Sequence, residues 1–240
     1  MATVILVPGT TAGGWVWRKI APRLRADGHI VYTPTLTGLG ERVHLASPGV
    51  DLDVHITDIV NTIVYEGLEN VVLIGHSYAG MVITGVADRM PGKVTLLVYL
   101  DALVPHDGES GVDVIPAVSR EWFERDVQTR GQGWLIPLAR GPNDIITLNT
   151  PHPFRTWTQE LRLTNSAALS TIPAVYVRFT ADKGPGGAFA DVLDKSFERA
   201  QTQGWPIYEV DTVHQITPDP LPKADVYRWN RGQRGRVRQA

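Results

Sequence analysis

The sequence predicts an α/β protein, a mostly parallel, doubly wound sheet of about six strands with helices on both faces. Three observations predict it. Short runs such as Thr3–Val7 and Val71–Ile74 are apolar throughout rather than alternating, as strands buried on both faces are. Stretches with apolar residues three and four apart fall between these runs. Finally, 240 residues at 43% hydrophobic and 20% charged suffice for one large core plus an insertion.

Taken in order, the first strand is Thr3–Val7, ended by Pro8-Gly9. Trp15 to Arg25 carries Trp17, Ile20, Ala21 and Leu24 on one side and is predicted helical. Ile30–Thr33 is the second strand. Asp53 is expected to cap a helix running to Glu66, with Ile56, Ile59, Val60, Ile63 and Val64 as its apolar face. The third strand, Val71–Ile74, leads to a wholly buried helix over Ala79–Met90. Val94–Leu100, Ala174–Phe179 and Pro206–Val210 complete the sheet, with a helix over Phe189–Gln203 between the last two.

Residues 105–171 break this alternation. They hold several Gly and Pro residues and scattered aromatics, Trp122, Phe123, Trp134, Phe154 and Trp157, but no clear strand. A structureless loop of that length is out of place in a compact domain, so a small helical lid over the carboxyl ends of the strands is expected. The core is then 1–104 together with 172–222. Residues 223–240, with Lys223 and five arginines against Asp225, read as a solvated basic tail.

The net charge of −2 points to neither nucleic acid nor an anionic membrane. The absence of cysteine excludes disulfides, thiolate metal sites and a cysteine nucleophile. No apolar run approaches the roughly 20 residues that span a bilayer, and the amino terminus lacks a signal-peptide pattern, so a cytoplasmic protein is expected.

The strongest chemical signal is Val71-Val72-Leu73-Ile74-Gly75-His76-Ser77-Tyr78-Ala79-Gly80, an apolar strand, a tight turn at Ser77 and an apolar helix. A serine on such a turn projects its oxygen above the sheet, next to a helix amino terminus and a free backbone N–H. The turn needs small residues two before and two after the serine, and Gly75 and Ala79 meet that need. A serine hydroxyl requires a base. Of seven histidines, His214 alone follows the last strand, where this order of elements places the base. The carboxylate that orients it is expected to be Asp182, just past Ala174–Phe179. Asp101, at the end of Val94–Leu100, is the alternative.

Oxyanion donors are expected from Tyr78 N–H and Thr10 N–H, the latter in the glycine-rich loop Pro8–Gly14. Gly9, Thr11, Trp122, Trp134 and Trp157 are expected to line the substrate pocket. The loop lacks the spacing of a phosphate or dinucleotide loop, and the cluster Asp51, Asp53, His55 and Asp58 lacks metal-site spacing. No cofactor and no metal are expected.

These motifs resemble the α/β-hydrolase fold, and within it the methylesterases, hydroxynitrile lyases and bacterial carboxylesterases related to pyrethroid hydrolases. The resemblance runs from about Thr3 to Pro220. It rests on Pro8–Trp17, on Thr-Gly-Leu-Gly-Glu-Arg at 37–42, on Gly75–Gly80, on Tyr-Leu-Asp-Ala-Leu-Val-Pro at 99–105 and on the His214 segment. It implies a Ser77–His214–Asp182 triad with Thr10 and Tyr78 as oxyanion donors. The chain departs from the family pattern at Pro8, where many members carry a histidine, and in its basic tail, where relatives end in a packed helix. Gln215 stands where the lyases have a lysine, and Gly9 where they have a threonine, so ester hydrolysis is expected over cyanide chemistry. The implied function is a serine carboxylesterase acting on a small to medium apolar ester, as a monomer or homodimer without nucleic-acid or membrane partners. A lactonase, lyase or perhydrolase on the same site, and a receptor on a hydrolase scaffold, are the competing readings.

Overall fold

The computed structural model describes residues 1–138, 148–181 and 192–216. In chain order its strands are β1 (Thr3–Val7), β2 (Ile30–Tyr32), β3 (Val71–Ser77), β4 (Val94–Ala102), β5 (Leu135–Ile136), β6 (His152–Pro153), β7 (Ala174–Phe179) and β8 (Ile207–Val210). The α-helices are α1 (Ala21–Ala26), α2 (Leu52–Tyr65), α3 (Ala79–Arg89), α4 (Gly111–Val114), α5 (Ala117–Thr129), α6 (Arg155–Thr158), α7 (Ser166–Leu169) and α8 (Asp194–Thr202).

Six strands form one sheet in the order β2-β1-β3-β4-β7-β8, and every neighbouring pair is parallel. Side-chain alternation explains why the strands are apolar throughout. Val4 and Leu6 face one buried cluster with Trp17 and Ala21, while Ile5 and Val7 face the other with α2 and α3. β4 and β7 repeat this, with Val98 and Val175 on the first side and Tyr99 and Tyr176 on the second. On α2, Ile56, Ile59 and Ile63 are fully buried, each contributing about 2 kcal/mol relative to exposure.

Several local expectations shift. The helix expected over Trp15–Arg25 divides into a 3₁₀ turn, Gly14–Trp17, and α1. Pro22 has no N–H to give an upstream carbonyl, so it fits only a first turn, and α1 starts immediately before it. The cap of α2 is Asp51, whose carboxylate accepts from Val54 N–H, rather than Asp53, which pairs with Arg89. Segment 105–171 contains α4 to α7, and also a two-stranded antiparallel pair, β5 with β6, that no sequence periodicity announced.

The chain leaves β1 for β2 on one side and returns to β3 on the other. The loops after β1 and β3 therefore diverge, opening a crevice at their carboxyl ends, where open α/β sheets bind ligands.

Candidate active site

β3 ends at Ser77, whose φ of +55° lies in the left-handed region. The turn is packed tightly. A side chain at Gly75 would place its Cβ 2.8 Å from Ala79 O, and one at Gly9 would lie 3.0 Å from Ser77 Cβ. Leu103 N–H donates to the Ser77 carbonyl at 3.0 Å and fixes the turn from the β4 side. Strain at the serine is thus held by backbone contacts on three sides.

Ser77 Oγ is 3.0 Å from His214 Nε2, and His214 Nδ1 is 2.6 Å from Asp101 Oδ2. A carboxylate only accepts, so Nδ1 carries the proton, and Nε2 is left to accept from the serine. Asp101 is fully buried, and its other oxygen accepts from Phe179 N–H at 3.3 Å. The carboxylate bonded to His214 is therefore Asp101, where the sequence reading favoured Asp182; Asp182 itself lies outside the described residues.

The register between β3 and β4 supplies the physical reason. His76 pairs with Leu100 and Ser77 with Ala102, so Asp101 is the extra residue of a β-bulge, with φ +44°. Bulges re-aim side chains next to active sites, and this one aims a strand residue at His214.

His214 is held from a second direction. His76 Nε2–H donates to the His214 carbonyl at 2.8 Å, and the two rings lie 4.8 Å apart. Burial, then the nearby His214 imidazole, pushes the His76 pKa down to about 3, so His76 is a neutral donor. Sequence reasoning noted His76 only as a neighbour of the serine; nothing in its spacing reveals this bond.

In the loop after β1, Thr11 N–H donates to His152 Nδ1, Ala12 N–H to the Gly9 carbonyl, and Gly14 N–H to Thr35 Oγ1. Thr10 N–H makes no such bond among the described residues, and Thr10 Oγ1 is buried there without a partner. Tyr78 is fully buried, and its ring stacks on Trp157 at 5.4 Å.

The expected pocket residues separate. Trp157 is 3% exposed and packs into the core, while Trp122 on α5 is 51% exposed. Trp134 accepts Phe154 N–H at its carbonyl, in the turn before β5. Gly9 lies against the turn at Ser77, and Thr11 is bonded to His152 of segment 105–171. The acidic cluster also separates: Asp51 caps α2, Asp53 pairs with Arg89, and Asp58 accepts from Thr37 N–H and Thr37 Oγ1. Among the described residues, no group of three potential ligands could hold a metal ion, and no helix is long and apolar enough to cross a membrane.

A parallel sheet with a strained Ser77 at the carboxyl end of β3, hydrogen-bonded to His214, defines an α/β hydrolase. The chain belongs to the alpha/beta hydrolase family, whose profile matches residues 4–224. It is 52% identical over 116 residues to a carbendazim hydrolyzing esterase of Nocardioides sp. (strain SG-4G), covering 48% of each chain. It is 32% identical over 143 residues to methylesterase 3 of Arabidopsis thaliana, covering 55% of this chain and 48% of that one. The chain thus spans about half the length of the curated relatives it matches. Among solved structures, an extracellular alpha/beta-hydrolase from a Paenibacillus species aligns with a TM-score of 0.74 at 25% identity, over 89% of this chain and 91% of that chain. That protein is described as sharing structural and functional homology with tobacco salicylic acid binding protein 2.

Proposed function

We propose that the protein is a serine carboxylesterase with Ser77 as nucleophile, His214 as general base and acid, and Asp101 as the orienting carboxylate. The observation that carries this reading is the continuous relay from Ser77 Oγ to His214 Nε2 at 3.0 Å and from His214 Nδ1 to Asp101 Oδ2 at 2.6 Å. The esterase names of the Nocardioides and Arabidopsis relatives support the same reaction class.

His214 Nε2 takes the hydroxyl proton as Ser77 Oγ attacks the ester carbonyl. The tetrahedral oxyanion is met by Tyr78 N–H at the start of α3 and by Thr10 N–H. The imidazolium, stabilised by Asp101, protonates the departing alcohol. A water molecule then enters, loses its proton to Nε2 and attacks the acyl carbon, and the imidazolium returns that proton to Ser77 Oγ as the acid leaves. Segment 105–171 acts as the lid that encloses the acyl or alcohol group, and a small apolar ester is the substrate class.

Incubation with p-nitrophenyl esters of increasing acyl length, with carbendazim added to the panel, tests this directly. Release by the wild type and loss in Ser77→Ala is the expected result. A folded wild type that releases nothing from any ester sinks the reading.

A further inference from the structure

Two buried histidines outside the triad, His55 on α2 and His152 on β6, meet edge to face with ring centroids 5.6 Å apart. Their partners fix where each proton sits. His55 Nε2 is 2.9 Å from the Thr37 carbonyl, which only accepts, so Nε2 carries hydrogen and bare Nδ1 accepts from Tyr78 Oη at 3.1 Å. Thr11 N–H only donates, so His152 Nδ1, 3.1 Å away, is bare. His152 Nε2–H then donates to Thr156 Oγ1 at 2.8 Å, which passes its own hydrogen to the Pro153 carbonyl.

What the two rings hold is informative. Thr11 has a φ of +64°, a conformation that costs a non-glycine residue on the order of 1 kcal/mol or more and persists only when its surroundings impose it. Segment 150–152 imposes it from both ends: Thr150 N–H donates to the Thr11 carbonyl at 2.9 Å, and His152 accepts the Thr11 N–H. Gly40 N–H in turn anchors Thr150 Oγ1 at 3.0 Å. Thr11 directly follows Thr10. On the other side of the hole, Tyr78 has its hydroxyl on His55 and its ring 5.0 Å from His152.

We infer that His152 and His55 are positioning residues for the oxyanion hole, His152 gripping the Thr10–Thr11 loop and His55 the Tyr78 side chain. Oxyanion donors accelerate acyl transfer only when they are aimed in advance, and here one buried pair of neutral imidazoles aims both. The side of the hole formed by the loop after β1 is then built by the lid segment itself, which makes that segment part of the catalytic geometry as well as a roof. This inference rests on the esterase reading and deepens it.

Steady-state kinetics of His152→Leu and His152→Asn in the full chain test it. The leucine offers Thr11 no acceptor, whereas the asparagine Oδ1 can occupy the place of Nδ1. His152→Leu is expected to lower kcat roughly 30- to 100-fold with KM held within about 3-fold, and His152→Asn to recover to within about 5-fold of wild type. A trifluoromethyl ketone, which forms a tetrahedral adduct on Ser77, should weaken in parallel with kcat. Wild-type kcat in His152→Leu, or equal losses in both variants, overturns the inference. Nitrogen-15 spectra of the wild-type imidazoles decide it even where the variants do not fold: Nε2–H is expected on both rings at neutral pH, and Nδ1–H on either overturns it. Ser77-dependent ester release by the wild type, measured alongside, separates failure of this inference from failure of the esterase reading.

Discussion

Asp101 shows how much one backbone angle decides. At φ +44°, as the unpaired residue of a bulge, its carboxylate reaches His214 Nδ1 instead of lying along the strand. Asp101→Asn is expected to lower kcat/KM by roughly three orders of magnitude, because the amide can stabilise neither the productive tautomer nor the imidazolium. Asp182→Asn is expected to stay within about 5-fold, and parallel kinetics of the two variants decide between the carboxylates. Ser77 and His214 were legible because a strand-turn-helix signature and a position after the last strand mark them. Asp101 stood only as the alternative to Asp182, since a bulge depends on how two strands slip against each other. His55, His76 and His152 were visible as residues, but partners 18 to 141 positions away fix their protons.

At the scale of elements, strands and long helices followed their apolar periodicity, while ends and short pieces did not. Asp51 and Asp53 are both plausible caps by type; the phase set by buried Leu52 and Ile56 places Asp51 just outside α2. Asp51→Ala is expected to cost about 1 kcal/mol in urea unfolding, and Asp53→Ala, at an exposed ion pair, under about 0.5 kcal/mol. Helices α4, α6 and α7 span four residues each, too short to stand on propensity, and tertiary ties hold their segment down. Asp88, buried at the end of α3, accepts from Thr164 N–H, Thr164 Oγ1 and Asn165 N–H. Asp88→Ala strands those donors and is expected to destabilise the chain by about 3 kcal/mol in the same assay. Glu109 makes the second tie, to Arg199 at 2.6 and 2.7 Å. Although burial opposes it, this pairing holds the Glu109 pKa down at about 2. Neither tie leaves a mark in local sequence.

Across the whole molecule, three histidines besides His214 are buried in neutral form. Burial first of all pushes His55 to about 4 and His76 to about 3, and holds His152 well below the usual imidazole value. Charges facing them, Asp51, Asp58 and Arg42 around His55, His214 and Asp101 around His76, and His55 beside His152, modify but do not reverse this. The unfolded chain therefore binds protons that the folded chain refuses below about pH 6.5, so stability is full above that value and falls as pH drops toward the folded values. At pH 5 His55 and His76 each remove about 2 kcal/mol, a large share of a typical folding free energy, and His152 acts in the same direction. Thermal unfolding between pH 8 and pH 5 should show a steadily falling Tm, and a flat profile would contradict neutral burial. The parallel sheet carries one more consequence, for the order of events during refolding. Ser77 lies 137 residues from His214, and Asp101 lies 113 from it, so no local segment can assemble the relay. Such long-range closures come late and slowly. A refolding chain should regain its helical signal first and Ser77 reactivity last, with no fragment that lacks His214 labelled at the serine.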